Sequence, residues 1–133
     1  MNKKWVPFLI IITLLAGCSK QESIQANGEG ENWKGHIIYE VTDSQLYDRG
    51  GIEYTGNEEL IYVAFTLTTD GEESYKGELH PSEGQTAISF GTTVTNHPPT
   101  KDQAISSLNS SNIKIEWHTN TGEYEETISL KVN

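Results

Sequence analysis

Few residues in this chain are of a type and spacing that could do chemistry, and one of them is its only cysteine, Cys18. A single thiol forms no intrachain disulfide, no paired redox site and no cysteine metal cluster. The four histidines, His36, His80, His97 and His118, fall one to a segment, and none has a metal-ligating partner two or four residues on. Their scatter predicts no zinc site. The carboxylate pairs Glu58-Glu59, Glu72-Glu73 and Glu125-Glu126 are adjacent in sequence. On a strand, neighbours point to opposite faces, so each pair is poorly placed for joint acid–base work. Asp70-Gly71-Glu72-Glu73 lacks the acidic series of a calcium-binding helical loop and reads as a solvated turn. No nucleophile elbow and no phosphate-binding glycine loop occurs; Gly50-Gly51 and Gly28-x-Gly30 read as turn or linker glycines. No catalytic, cofactor-binding or metal-binding residue is therefore assigned, and a non-catalytic protein is expected.

The elements that would position such residues are strands. Trp33, Gly35, Ile37, Tyr39 and Val41 alternate with Lys34, His36, Ile38 and Glu40, the period of a half-buried strand. Ile52 and Tyr54 mark a shorter strand, and Ile61, Val63, Phe65 and Leu67 share one face of 59–68. Thr69-Asp70-Gly71-Glu72 offers an Asp-Gly hairpin turn, followed by a polar strand through Tyr75, Gly77 and Leu79. Pro81-Ser82-Glu83-Gly84 is a second turn, and 85–94 returns through Ile88 and Phe90. Ile113, Ile115 and Trp117 alternate with polar residues, and Asn120-Thr121-Gly122 turns the chain into 123–132. Trp33 and Trp117 share the parity of apolar neighbours and are expected in the core, whereas Tyr62 and Tyr124 are placed on the opposite faces of their strands. Between the halves lies the long connection 95–111. Its Thr100-Lys101-Asp102-Gln103 matches a capping box and predicts a short helix near 101–108. The whole predicts an all-β domain over 33–133: an antiparallel sandwich, immunoglobulin-like, of about seven strands. The long connection is then the crossover between its two sheets.

Charge narrows the partners. The 133 residues carry nine Lys and Arg against nineteen Asp and Glu, a net charge of -10. Phosphate binding needs clustered Lys and Arg, so no nucleic-acid partner is expected. Electrostatic adhesion to an anionic lipid surface is disfavoured for the same reason.

The N-terminus opens Met1-Asn2-Lys3-Lys4, and Trp5 to Ala16 is then apolar except for Pro7 and Thr13. Twelve residues of helix rise about 18 Å, well short of the roughly 30 Å of a bilayer core. The run has the proportions of a secretory signal. The four residues that follow, Leu15-Ala16-Gly17-Cys18, resemble the bacterial lipobox. That resemblance implies a diacylglyceryl group on the Cys18 thiol and signal-peptidase recognition of Leu15, Ala16 and Gly17. Residues 1–17 would be removed, which takes away Lys3 and Lys4 and leaves seven bases against nineteen acids, or -12. The membrane is then a partner through lipid on Cys18, at the extracytoplasmic face. Residues 19–32 hold one large apolar residue, Ile24, beside Gly28 and Gly30, and read with Cys18 as a flexible tether over 18–32. In outline the chain resembles small Gram-positive lipoproteins that join a lipobox to an immunoglobulin-like sandwich. The resemblance implies a membrane-anchored binding or interaction module for an envelope ligand or protein. An enzyme whose residues converge only in space, or a structural envelope protein, is the alternative.

Overall fold

The computed structural model describes residues 22–133; Leu15, Ala16, Gly17 and Cys18 lie outside the described residues. Among the described residues nine strands make two antiparallel sheets packed face to face, joined by one helix. The strands are β1 (Glu22–Glu29), β2 (Trp33–Val41), β3 (Leu46–Tyr54), β4 (Tyr62–Thr69), β5 (Glu72–Leu79), β6 (Ala87–Thr95), β7 (Asn112–Thr119), β8 (Gly122–Ser129) and β9 (Lys131–Val132). The helix α1 (Lys101–Asn109) lies between β6 and β7. One sheet has the order β6-β3-β2-β1-β9 and the other β5-β4-β7-β8.

The all-β sandwich and its short helix are as the sequence predicts. Strands β2 to β8 supply the seven expected, and β1 and β9 enlarge one sheet. The chain forms the hairpin β2-β3, crosses for the hairpin β4-β5, and returns as β6 beside β3. It crosses again through α1 to set β7 beside β4 and ends that sheet with β8. The 95–111 connection is thus a sheet-to-sheet crossover, shortened because β6 runs on to Thr95. Its capping box is complete: Gln103 N–H donates to Thr100 Oγ1 at 3.1 Å, and Thr100 N–H donates to Gln103 Oε1 at 3.0 Å. Ala104 and Leu108 bury the inner face of α1.

The core draws its buried side chains from β1 to β4, β6 to β8 and α1, with Trp33, Val63, Ile113, Ile115 and Leu130 fully buried, while β5 and β9 add only the partly buried Leu79 and Val132. Trp117 is 3 % exposed and crosses Trp33 edge-on at 5.7 Å between ring centroids, as the shared parity predicts. Ile61, grouped with the core row of β4 by sequence, lies ahead of the strand and is exposed.

The tether reading fails over 22–29. Those residues form β1, an inner strand paired with β2 along its whole length and with β9 on the other side. Ile24 and Ala26 turn inward and are buried. Gly28 follows on the same face because there is no room for more: a Cβ there would lie 2.3 Å from the Ser129 carbonyl. Two small residues and one isoleucine make a shallow apolar face, and a polar outer row hides it. Gly28 and Gly30 are therefore packing glycines, and the domain begins by Glu22.

Gly50-Gly51 is also misplaced by the sequence reading, since it sits in the middle of β3 and makes no turn. A Cβ on Gly50 would come 2.4 Å from the His36 carbonyl oxygen, and one on Gly51 2.6 Å from that of Ile88. The ladder to β6 shifts register between these two glycines, leaving Phe90 as the extra residue of a bulge.

Tyr124 is the last correction. It is directly paired with Trp117, and antiparallel partners share a face, so it lies inward at the sandwich's rim. Its parity is that of Ile128 and Leu130. The rings stack at 5.5 Å, while the phenol end stays exposed.

Candidate functional site: a glycine-floored trough

The outer face of the five-stranded sheet is a grid set by strand register. One row across it is Asn27, His36, Gly51 and Ser89, taken from β1, β2, β3 and β6. The row below it is Gln25, Ile38, Arg49 and Thr92, and the row above is Glu29, Lys34, Glu53 and Ala87. At the centre of this grid Gly51 contributes no side chain. The result is an open trough of about 990 Å³ lined by these three rows. That is at the upper end of the volumes of small-ligand sites.

The trough's projecting side chains are mostly polar and mixed in charge, over a floor of glycine and aliphatic carbon that makes its exposed lining more apolar than polar. Lys34 stands between Glu29 and Glu53 in register, and Arg49 is ion-paired with Glu40 on the neighbouring strand. His36 is half-buried beside the glycine floor. Ser89 Oγ accepts from the Gly91 N–H at 3.2 Å, inside the bulge. His36 and Ser89 lie two strand spacings apart, about 9.6 Å, and no hydrogen bond joins them. This is the lining of a hydrogen-bonding cradle and contains no paired nucleophile and base.

Two other places gather polar side chains. Asp48 lies on the inner face of β3, opposite Tyr39. It lines a notch of about 60 Å³ with Ser74, Tyr75, Phe90 and Thr93, where the two sheets part beside β5 and β6. Burial pushes its carboxyl up to about 6. Burial, then the charges of Asp48 and Asp70, pushes the Tyr39 phenol up to about 12. The notch has room for one or two waters at roughly 30 Å³ each, too little for a larger ligand. The other place is the outer face of the second sheet, where Tyr62 packs between His80 and His118 at 5.4 and 4.9 Å. Tyr62 OH donates to Glu78 at 2.6 Å, and that bond raises its phenol.

The remaining sequence candidates have structural partners or stand alone. His80 meets the Ile61 carbonyl at 3.2 Å, His118 faces Glu123 at 3.7 Å, and His97 is exposed ahead of α1. Among the described residues no three His, Cys, Asp or Glu side chains gather as a metal site would require. Glu58 accepts from Thr119 and Thr121. Glu72 and Glu73 are exposed, and Glu125 faces Lys114 at 3.8 Å. Glu126 points inward and accepts from the backbone N–H groups of Asn32 and Trp33 and from the Asn32 amide. Asp70 accepts from Ser107 and Ser110, clasping the end of α1 to the β4–β5 turn.

Sequence reading names His36 only as one of four scattered histidines and does not find the trough that holds it. The available signal was a pair of glycines inside a strand, which marks a bulge or a close backbone approach. No family model, curated protein or solved structure matches this chain.

Proposed function

We propose that this chain is a lipid-anchored extracytoplasmic lipoprotein whose sandwich, immunoglobulin-like in wiring, binds an envelope ligand or protein in the trough on its five-stranded sheet. The single observation carrying the binding reading is that trough, floored by Gly51 and ringed by Asn27, His36 and Ser89. The wiring reading draws on the order of β2 to β8, with β6 returning beside β3 and β7 beside β4. Support for the anchor comes from the sequence alone: Lys3-Lys4, the apolar run, and Leu15-Ala16-Gly17-Cys18. Two acyl chains, at about 0.8 kcal/mol per buried methylene, anchor stably where one is marginal.

Both halves are tested directly. Cys18→Ser should strand the precursor or release the domain from the membrane fraction. A mature-sized product still retained there overturns the anchor. For the trough, isotopically labelled residues 22–133 are titrated with soluble peptidoglycan fragments and with envelope-derived peptides, and amide shifts are mapped. Shifts clustered at Asn27, His36, Gly51 and Ser89, and lost in Ser89→Tyr, support the site. Shifts confined to the other sheet, or none with either ligand class, overturn it.

A further inference from the structure

We propose that the domain stands on the membrane by one defined end, with the β2–β3 turn (42–45) and the segment 96–100 apposed to the lipid headgroups. The inference rests on the anchored reading above and adds an orientation to it. Its basis is the position of β1. If Cys18 carries the lipid, only Ser19, Lys20 and Gln21 separate it from Glu22, which is already paired with Val41. Four residue steps of extended chain reach at most about 14 Å. A 14-residue tether would have let the domain turn freely; this span does not.

Which end that is follows from register. Glu22 pairs with Val41, Val41 with Leu46, and Leu46 with Thr95, so the 42–45 turn and the segment after β6 lie at the same end as Glu22. The start of α1 lies there too, because Lys101 Nζ is 3.4 Å from Glu22. The opposite end carries the turns 30–32, 81–86 and 120–121, next to Glu29, Ala87 and Thr119.

Charge decides how that end meets the lipid. Glu22, Asp43 and Asp102 are exposed there against Lys101, and the link itself carries Lys20, so acids outnumber bases three to two. An anionic headgroup layer repels such a surface, so the anchor holds the end down while charge holds it off. The trough then opens sideways. Strand rise sets its span, since Gln25 is three residues and Glu29 seven residues beyond Glu22, or about 10 and 23 Å. A ligand would be met in that layer, close above the headgroups.

The test uses the full, lipidated protein. Because an acylated Cys18 leaves no free thiol, a cysteine introduced by Ser44→Cys or Asn120→Cys is the single labelling site. Each fluorophore-labelled protein is reconstituted into phosphatidylcholine–phosphatidylglycerol vesicles with a headgroup-attached quencher. Quenching severalfold stronger at position 44 than at 120 is expected. Asn96→Cys against Ser82→Cys gives an independent pair should either turn variant misfold. Protein that floats with the vesicles but is quenched equally at both ends, or more at 120, overturns the orientation alone. Protein that does not float with the vesicles at all overturns the anchored reading, and the orientation with it.

Discussion

At the scale of single residues, the inner faces of the sheets hold a few polar groups, and each has a distinct physical position. Glu126 is satisfied by three donors and ties β8 to the β1–β2 turn. Among the described residues the Trp33 indole N–H has no acceptor, packed between Tyr54 at 5.1 Å and Trp117. Asp48 is the group whose protonation the fold controls. Its ordinary value of 3.8 rises to about 6 because burial penalises the charge. The folded state therefore holds that proton more tightly than the unfolded chain. Between about pH 4 and 6 the folded protein binds more protons at this site, so its contribution to stability falls as pH rises and is flat above that window. Asp48→Asn removes the charge while keeping the shape. It should raise the urea midpoint relative to the parent at pH 7.5 and give no such gain at pH 3.5. Equal gains at both pH values would mean the effect is not electrostatic.

At the scale of elements, legibility in the sequence tracked how apolar each buried row is. β7 shows its inner row as Ile113, Ile115 and Trp117, and the strand is plain from residues alone. α1 announces itself through Thr100 and Gln103. β1 does not, because its inner row is Ile24, Ala26 and Gly28 under a wholly polar outer row. Its strand character is conferred by neighbours: the β2 ladder on one side, β9 on the other, and Ile128 and Ser129 pressing on Gly28. The trough was hidden for a related reason, since a cradle made by a missing side chain shows only as glycine. A domain cut at Trp33 is consequently a different molecule from one cut at Glu22. Residues 22–133 should melt cooperatively by circular dichroism. Residues 33–133 lack an inner strand, leave β9 without a partner and strip cover from Leu130, so they should show no cooperative transition. Identical melting of the two fragments would show β1 to be dispensable.

At the scale of the whole molecule, the two long sides of the sandwich are closed differently. On one, the chain leaves β8 at Ser129 and joins the other sheet as β9, with Leu130 N–H bonded to the Ser111 carbonyl at 3.0 Å. α1 lies against β1 and β9 there and ties into the C-terminus, where Asn109 accepts from the Val132 N–H at 2.8 Å. On the other, β5 and β6 run past each other with the Asp48 notch between them. With a single cysteine in the chain, no intrachain disulfide spans either side, and stability rests on a single continuous core. Trp117 is the part of that core that reaches the most rings, meeting Trp33, Tyr54 and Tyr124. Trp117→Ala should cost about 3–5 kcal/mol, the usual range for emptying a buried aromatic site. Domains of this kind have about 5–15 kcal/mol in all, so the variant should be marginal or unfolded at 37 °C while the parent is folded. Urea unfolding followed by far-ultraviolet circular dichroism reads the difference. A loss below about 1 kcal/mol would put it in the range of surface substitutions, and the ring cluster would then not be the centre on which both sheets close.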